Sequence, residues 1–143
     1  MAKLLLREGA RIEEKNRWGE TPLHRVAWNG EREMAEFLLG KGARIGEKNS
    51  WGKTPLHRVV FNGMMAMAKL FLEKGANVHA KDGVGNTPLH DAVFYKDQDI
   101  AELLLENKAD LNAENETGIT PLLIAQEGGN QGMVDLLLKY KVS

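Results

Sequence analysis

The chain contains only four prolines, Pro22, Pro55, Pro88 and Pro121, and each stands 33 residues from the next. Proline fixes one backbone angle and carries no N–H, so few places in regular structure tolerate it. Equal spacing therefore predicts one structural unit used repeatedly. The surrounding residues follow the same period: Thr21-Pro22-Leu23-His24, Thr54-Pro55-Leu56-His57, Thr87-Pro88-Leu89-His90 and Thr120-Pro121-Leu122-Leu123. Gly19, Gly52, Gly85 and Gly118 stand two residues before each threonine. A second block keeps step as Met34–Leu39, Met67–Leu72, Ile100–Leu105 and Met133–Leu138, and Met1–Leu6 is a further copy. The period divides a single domain, 1–143, into a half repeat at 1–16, full repeats at 17–49, 50–82 and 83–115, and a C-terminal repeat at 116–143.

Local chemistry says what each unit builds. Threonine accepts a hydrogen bond from an orphan N–H at a helix start, and proline suits the position after it. A short first helix is predicted from Pro22 to Trp28, broken by Asn29 and Gly30. A second helix is predicted from about Arg32 to Lys41, with Met34, Ala35, Phe37 and Leu38 as its core stripe. Gly42 and Gly75 end such helices in a left-handed conformation. Helix pairs this short cannot bury an apolar face alone, so neighbouring units must stack.

Together with Gly75-Ala76-Asn77-Val78 and Lys108-Ala109-Asp110-Leu111, these residues resemble the ankyrin repeat family over nearly the whole chain. The resemblance implies an all-α solenoid of stacked helix-turn-helix units with β-turn fingers. It also implies a concave face of fingers and first helices that binds other proteins. Two positions depart from the pattern. Lys96 replaces the glycine between the helices of one repeat, and Leu123 replaces the last histidine.

Catalytic and metal chemistry find little support. With no cysteine, thiolate zinc sites, disulfides and cysteine nucleophiles are excluded. His24, His57 and His90 are periodic, but stacked helices stand about 8–10 Å apart and zinc–nitrogen bonds are about 2 Å. Equivalent histidines cannot share an ion, and each is expected to bond backbone in its own or the next turn. Ser50 and Ser143 are the only serines, and neither sits in a nucleophile turn. No enzyme activity, cofactor or metal is expected. No apolar run reaches the roughly 18 residues of a membrane span, and a cytoplasmic or otherwise intracellular protein is expected.

The aromatic residues break the polarity expected of a solvated face. Trp18, Trp28, Trp51, Phe61, Phe94 and Tyr95 all fall at fingers or first-helix ends. Arg25, Trp28 and Asn29 share one helix side, as do Arg58, Phe61 and Asn62, and then Asp91, Phe94 and Tyr95. Aromatic anchors interleaved with arginine match the composition of interface hot spots. The predicted contact set is Arg17, Trp18, Arg25, Trp28, Asn29, Trp51, Lys53, Arg58, Phe61, Asn62, Phe94 and Tyr95. The competing reading makes Trp28, Phe61 and Phe94 extra core between first helices.

The net charge of −1 hides an asymmetry. Residues 1–81 carry 15 Lys/Arg against 9 Glu, and residues 82–143 carry 4 Lys against 11 Asp/Glu. An acidic protein partner is expected at the basic N-terminal repeats, and head-to-tail self-association of an otherwise monomeric chain is allowed. Arginine beside stacking aromatics would also suit single-stranded nucleic acid, but the acidic half disfavours that. The alternative to a natural scaffold is an engineered stack made for folding or stability with no partner. An uninterrupted period, the absence of cysteine and a start within a repeat motivate it.

Overall fold

The structure is a computed structural model that describes residues 11–141. The helix expected from Met1 to Leu6 in the half repeat lies outside the described residues. Eight helices follow in order: α1 (Pro22–Asn29), α2 (Arg32–Gly40), α3 (Pro55–Phe61), α4 (Met65–Glu73), α5 (Pro88–Phe94), α6 (Gln98–Glu106), α7 (Pro121–Glu127) and α8 (Gln131–Lys139). No strand occurs among the described residues.

The first helix of each full repeat starts on a reciprocal cap. The hydroxyl of Thr54 accepts from the His57 backbone N–H, and His57 Nδ1 accepts from the Thr54 backbone N–H at 3.1 Å. Thr21 with His24 and Thr87 with His90 repeat the arrangement. The other ring nitrogen reaches the following repeat. Nε2 of His24, His57 and His90 donates to the carbonyls of Lys53, Asn86 and Ile119 at 2.8, 3.0 and 2.9 Å. One side chain thus fixes a helix start and ties two repeats together, as the sequence predicts. These bonds need a neutral ring, protonated on Nε2 only. Burial pushes all three histidines below their ordinary pKa, His57 to about 4. In the last repeat Thr120 still caps Leu123, at 3.1 Å, but leucine returns nothing.

The helix ends also follow the sequence. Gly30, Gly63 and Gly129 adopt φ of 74°, 66° and 67° between the two helices of their repeats, and Lys96 is forced to 61° at the same place. After the second helices, Gly42, Gly75 and Lys108 take 92°, 91° and 73°. First helices pack side by side, α1 on α3, α3 on α5 and α5 on α7, while α4, α6 and α8 form a second row behind them. The core lies between the rows. Leu23, Leu56 and Leu89 are enclosed from the front, and Leu38, Phe71, Leu104 and Leu137 from the back. Each such side chain contributes about 1.5–3 kcal/mol on burial.

Fingers join the repeats through backbone as well. In each, an Asx side chain closes the turn: Asn49 Oδ1 accepts from the N–H groups of Trp51 and Lys53, both at 2.9 Å. Asn16, Asp82 and Asn115 do the same at the equivalent position of the other fingers. Neighbouring fingers then bond directly, Ser50 N–H to Trp18 O at 2.9 Å, Gly83 N–H to Trp51 O at 2.8 Å and Glu116 N–H to Val84 O at 3.0 Å. Such closeness requires glycine at Gly52, where φ is 76° and a Cβ would lie 2.6 Å from the Gly83 nitrogen.

Candidate protein-interaction surface

The fingers and the ends of the first helices bring the predicted aromatic residues to one face. Trp28, near the end of α1, stacks on Phe61 at the end of α3, with ring centroids 5.6 Å apart. Phe61 meets Tyr95 edge-on at 4.9 Å, and Tyr95 meets Phe94 at 5.1 Å. These rings touch one another across repeats, yet they remain open to solvent, from 42 % exposure at Trp28 and Phe61 to 63 % at Phe94. They form a surface rail and are not the enclosed layer of the competing reading. The fingertips supply a second exposed apolar row: Trp18, Trp51 and Val84, each one period apart. Val84 is absent from the predicted set. Its position in the Trp18 and Trp51 register is the signal that could have found it.

Between the two rows lies a charged floor. Arg58 donates to Glu20 of the preceding finger through Nε, at 2.9 Å, and through Nη2. Its guanidinium also lies 4.6 Å from the Trp28 ring and 5.9 Å from Trp51. Burial raises the Glu20 pKa, but hydrogen bonds from Arg58 and Asn49 and the Arg58 charge outweigh it and hold the carboxyl below its ordinary value. Arg58 therefore supports two tryptophans, and its charge is balanced internally. Lys53 is balanced likewise, with Nζ 2.7 Å from Asp82 Oδ2. Asn62 donates to the Trp28 carbonyl at 2.9 Å. Of the predicted cations, Arg17 and Arg25 are the two exposed ones with no ion pair among the described residues, and Arg17 stacks 4.4 Å from the Trp18 ring. Asn29, also exposed, donates to Glu31.

Asp91 departs from the sequence reading, which places it on the solvated side beside Phe94 and Tyr95. It is buried, and its Oδ2 has no hydrogen-bond partner among the described residues. Burial pushes its pKa up to about 6, with nearby Lys53 opposing and Asp82 adding to the rise. His57, Asp82 and Asp91 each place one potential ligand atom within 4.8 Å of the others. That set does not fit a metal ion well. Both ring nitrogens of His57 are engaged with backbone, Asp82 Oδ1 accepts two N–H groups, and its Oδ2 holds the Lys53 ammonium. Lys53 already supplies the cation.

Stacked helix pairs, capped by threonine and histidine and linked by bonded fingers, define a repeat solenoid whose exposed aromatic rings collect on one face. A family model described as Ankyrin repeats (3 copies) matches residues 42–115, and a second, Ankyrin repeats (many copies), matches residues 4–59. The chain belongs to the ankyrin repeat family. Comparison with curated proteins returns no match. No helix among the described residues is long and apolar enough to cross a membrane.

Proposed function

We propose that this chain is a non-catalytic scaffold that binds a partner protein through the face formed by its fingers and first helices. Ankyrin repeats are in general protein-interaction scaffolds. The observation that carries the reading here is the continuous run of exposed rings from Trp28 through Phe61 to Tyr95 and Phe94, flanked by Trp18 and Trp51. Six large aromatics on one face are not needed to close a core that is already enclosed behind them, and anchors of this type dominate binding energy at interfaces. Arg17, Arg25 and Asn29 supply polar contacts at one end. Lys53, Arg58 and Asn62 line the floor, and Arg58 and Asn62 hold Trp28 in place.

The test has two parts. Acrylamide should quench the fluorescence of all three tryptophans. Binders selected from a display library should then lose at least about tenfold in affinity, near 1.4 kcal/mol, against Trp51→Ala or Trp28→Ala while the melting temperature stays put. Protected tryptophans, or folding lost in parallel with binding, would sink the reading.

A further inference from the structure

The second full repeat shows how the floor between fingers and rings holds a guanidinium. Arg58 lies 4.6 Å from the Trp28 ring and 5.9 Å from Trp51, and its Nε donates to Glu20 at 2.9 Å. One period on, Phe61 stands where Trp28 stood, and the charges are exchanged: Lys53 replaces Glu20 and Asp91 replaces Arg58. The place of the arginine is taken by a carboxylate.

That carboxylate is not answered from within. Asp91 is 8 % exposed, and its Oδ2 has no hydrogen-bond partner among the described residues. Lys53 acts on it through charge, but its ammonium is bonded to Asp82 Oδ2 at 2.7 Å. Asp82 Oδ1 accepts from the N–H groups of Val84 and Asn86. His57, beside both carboxylates, has its two ring nitrogens on backbone and is neutral. Two carboxylates therefore share one ammonium. Burial pushes Asp91 up to about 6, so at neutral pH it is ionised and one negative charge is left over. A buried charge without a partner is strongly destabilising, and here the partner is missing.

Resting on the reading of this face as an interface, we infer that the bound protein supplies it: an arginine side chain that lies against the exposed rings and sets its guanidinium on Asp91. The surroundings select that group. Asp91, Phe94 and Tyr95 share one side of α5 and its cap, Phe61 meets Tyr95 edge-on at 4.9 Å, and all three rings are exposed. Aromatic faces attract a cation. A guanidinium stacks on them while its N–H groups bond a carboxylate, whereas a lysine ammonium is compact and more strongly hydrated. A metal ion would need lone pairs of His57 and Asp82 that are already engaged. Arg58, held between a ring and a carboxylate one repeat earlier, is the same arrangement closed internally.

The test is an NMR titration with N-acetyl-arginine amide at constant ionic strength, beside its uncharged citrulline analogue and N-acetyl-lysine amide. The expected result is saturable shifts at the Asp91 carboxyl carbon and at the Phe61, Phe94 and Tyr95 rings. Affinity should be at least about tenfold lower for citrulline and several-fold lower for lysine. Asp91→Asn should abolish the preference for arginine while the melting temperature holds or rises. Phe94→Ala, at an open position, should weaken arginine several-fold with the fold intact. No saturable shift with arginine, equal affinity for citrulline or lysine, or an unchanged response in Asp91→Asn overturns the inference. Library-selected binders separate this subsite from the face as a whole. Affinity that falls at least about tenfold in Asp91→Asn supports the subsite. Binders weakened by Trp51→Ala but indifferent to Asp91→Asn overturn the subsite and leave the face standing, and binders that ignore both substitutions overturn both.

Discussion

Arg58 donates from Nε to Glu20 Oε2 at 2.9 Å, joining the first helix of one repeat to the finger of the repeat before it. One period on, the same two positions hold Asp91 and Lys53, with the signs exchanged. Both sites are withdrawn from solvent, so each charge depends on its neighbours for compensation.

Removing one partner of the first pair should therefore cost more than removing both. Glu20→Gln alone leaves a half-buried guanidinium without a counter-charge and should destabilise by about 1–3 kcal/mol. The cycle of Glu20→Gln, Arg58→Met and the double variant should show a coupling of about 1–2 kcal/mol in chemical denaturation. Additive single effects would show that the pair contributes nothing.

Asp91 and His57 should oppose each other as pH changes. His57 titrates below its ordinary value in the folded chain, so its share of stability is full above pH 6.5 and is lost as pH falls towards 4. Asp91 titrates above its ordinary value, so its share is full below pH 3.8 and is lost as pH rises through about 6. Asp91→Asn removes the second trend. At pH 7 the variant should gain up to about 3 kcal/mol, given about 1.4 kcal/mol per pKa unit, and its stability should fall more steeply than the parent's between pH 6.5 and 4. Denaturant midpoints measured across that range check it; an unchanged profile would count against a buried, charged Asp91.

Lys96→Gly should stabilise the chain. Lys96 holds φ of 61° where three other repeats carry glycine, and a left-handed conformation costs a side-chain-bearing residue about 1–2 kcal/mol. Part of that is offset by the greater unfolded-state freedom of glycine. A net gain of about 0.5–1 kcal/mol in thermal or chemical unfolding is expected.

Gly52→Ala should do the reverse. Its Cβ would approach the Gly83 backbone nitrogen to 2.6 Å, and no flexible side chain is there to yield. The bond from Gly83 N–H to Trp51 O would have to open. A loss of about 2–4 kcal/mol is expected, together with faster amide exchange at Gly83. A variant as stable as the parent would show that the fingers have room to part.

What the sequence reveals and conceals follows from where each interaction runs. The caps of Thr21, Thr54 and Thr87 are local, three residues to their histidines, and the period exposes them directly. The exposed rings are legible for the same reason, since Trp28, Phe61 and Phe94 recur at one helix position. The floor is different. Arg58 finds Glu20 at a separation of 38 residues and Lys53 finds Asp82 at 29, so both cross a repeat boundary. Read within their own repeats, Arg58 and Lys53 look like free surface cations, and Asp91 looks like a solvated carboxylate. The Asx residues Asn16, Asn49, Asp82 and Asn115 share one position of the period, but the role of each depends on which neighbour it faces. Asn49 donates to Glu20, Asp82 accepts from Lys53, and Asn115 donates to Asn86.

The alternation of sign along the floor has a consequence for assembly. A chain of near-identical units risks docking a unit out of turn while it folds. If the finger of the first full repeat met the first helix of the third, Glu20 would face Asp91, and two carboxylates would be shut away together. If the second met the fourth, the Lys53 ammonium would settle against Ile124 with no counter-ion. The signs at these positions label each unit with its neighbour: the written order answers Glu20 with Arg58 and Lys53 with Asp82, and an exchanged order shuts away a carboxylate pair or a lone ammonium.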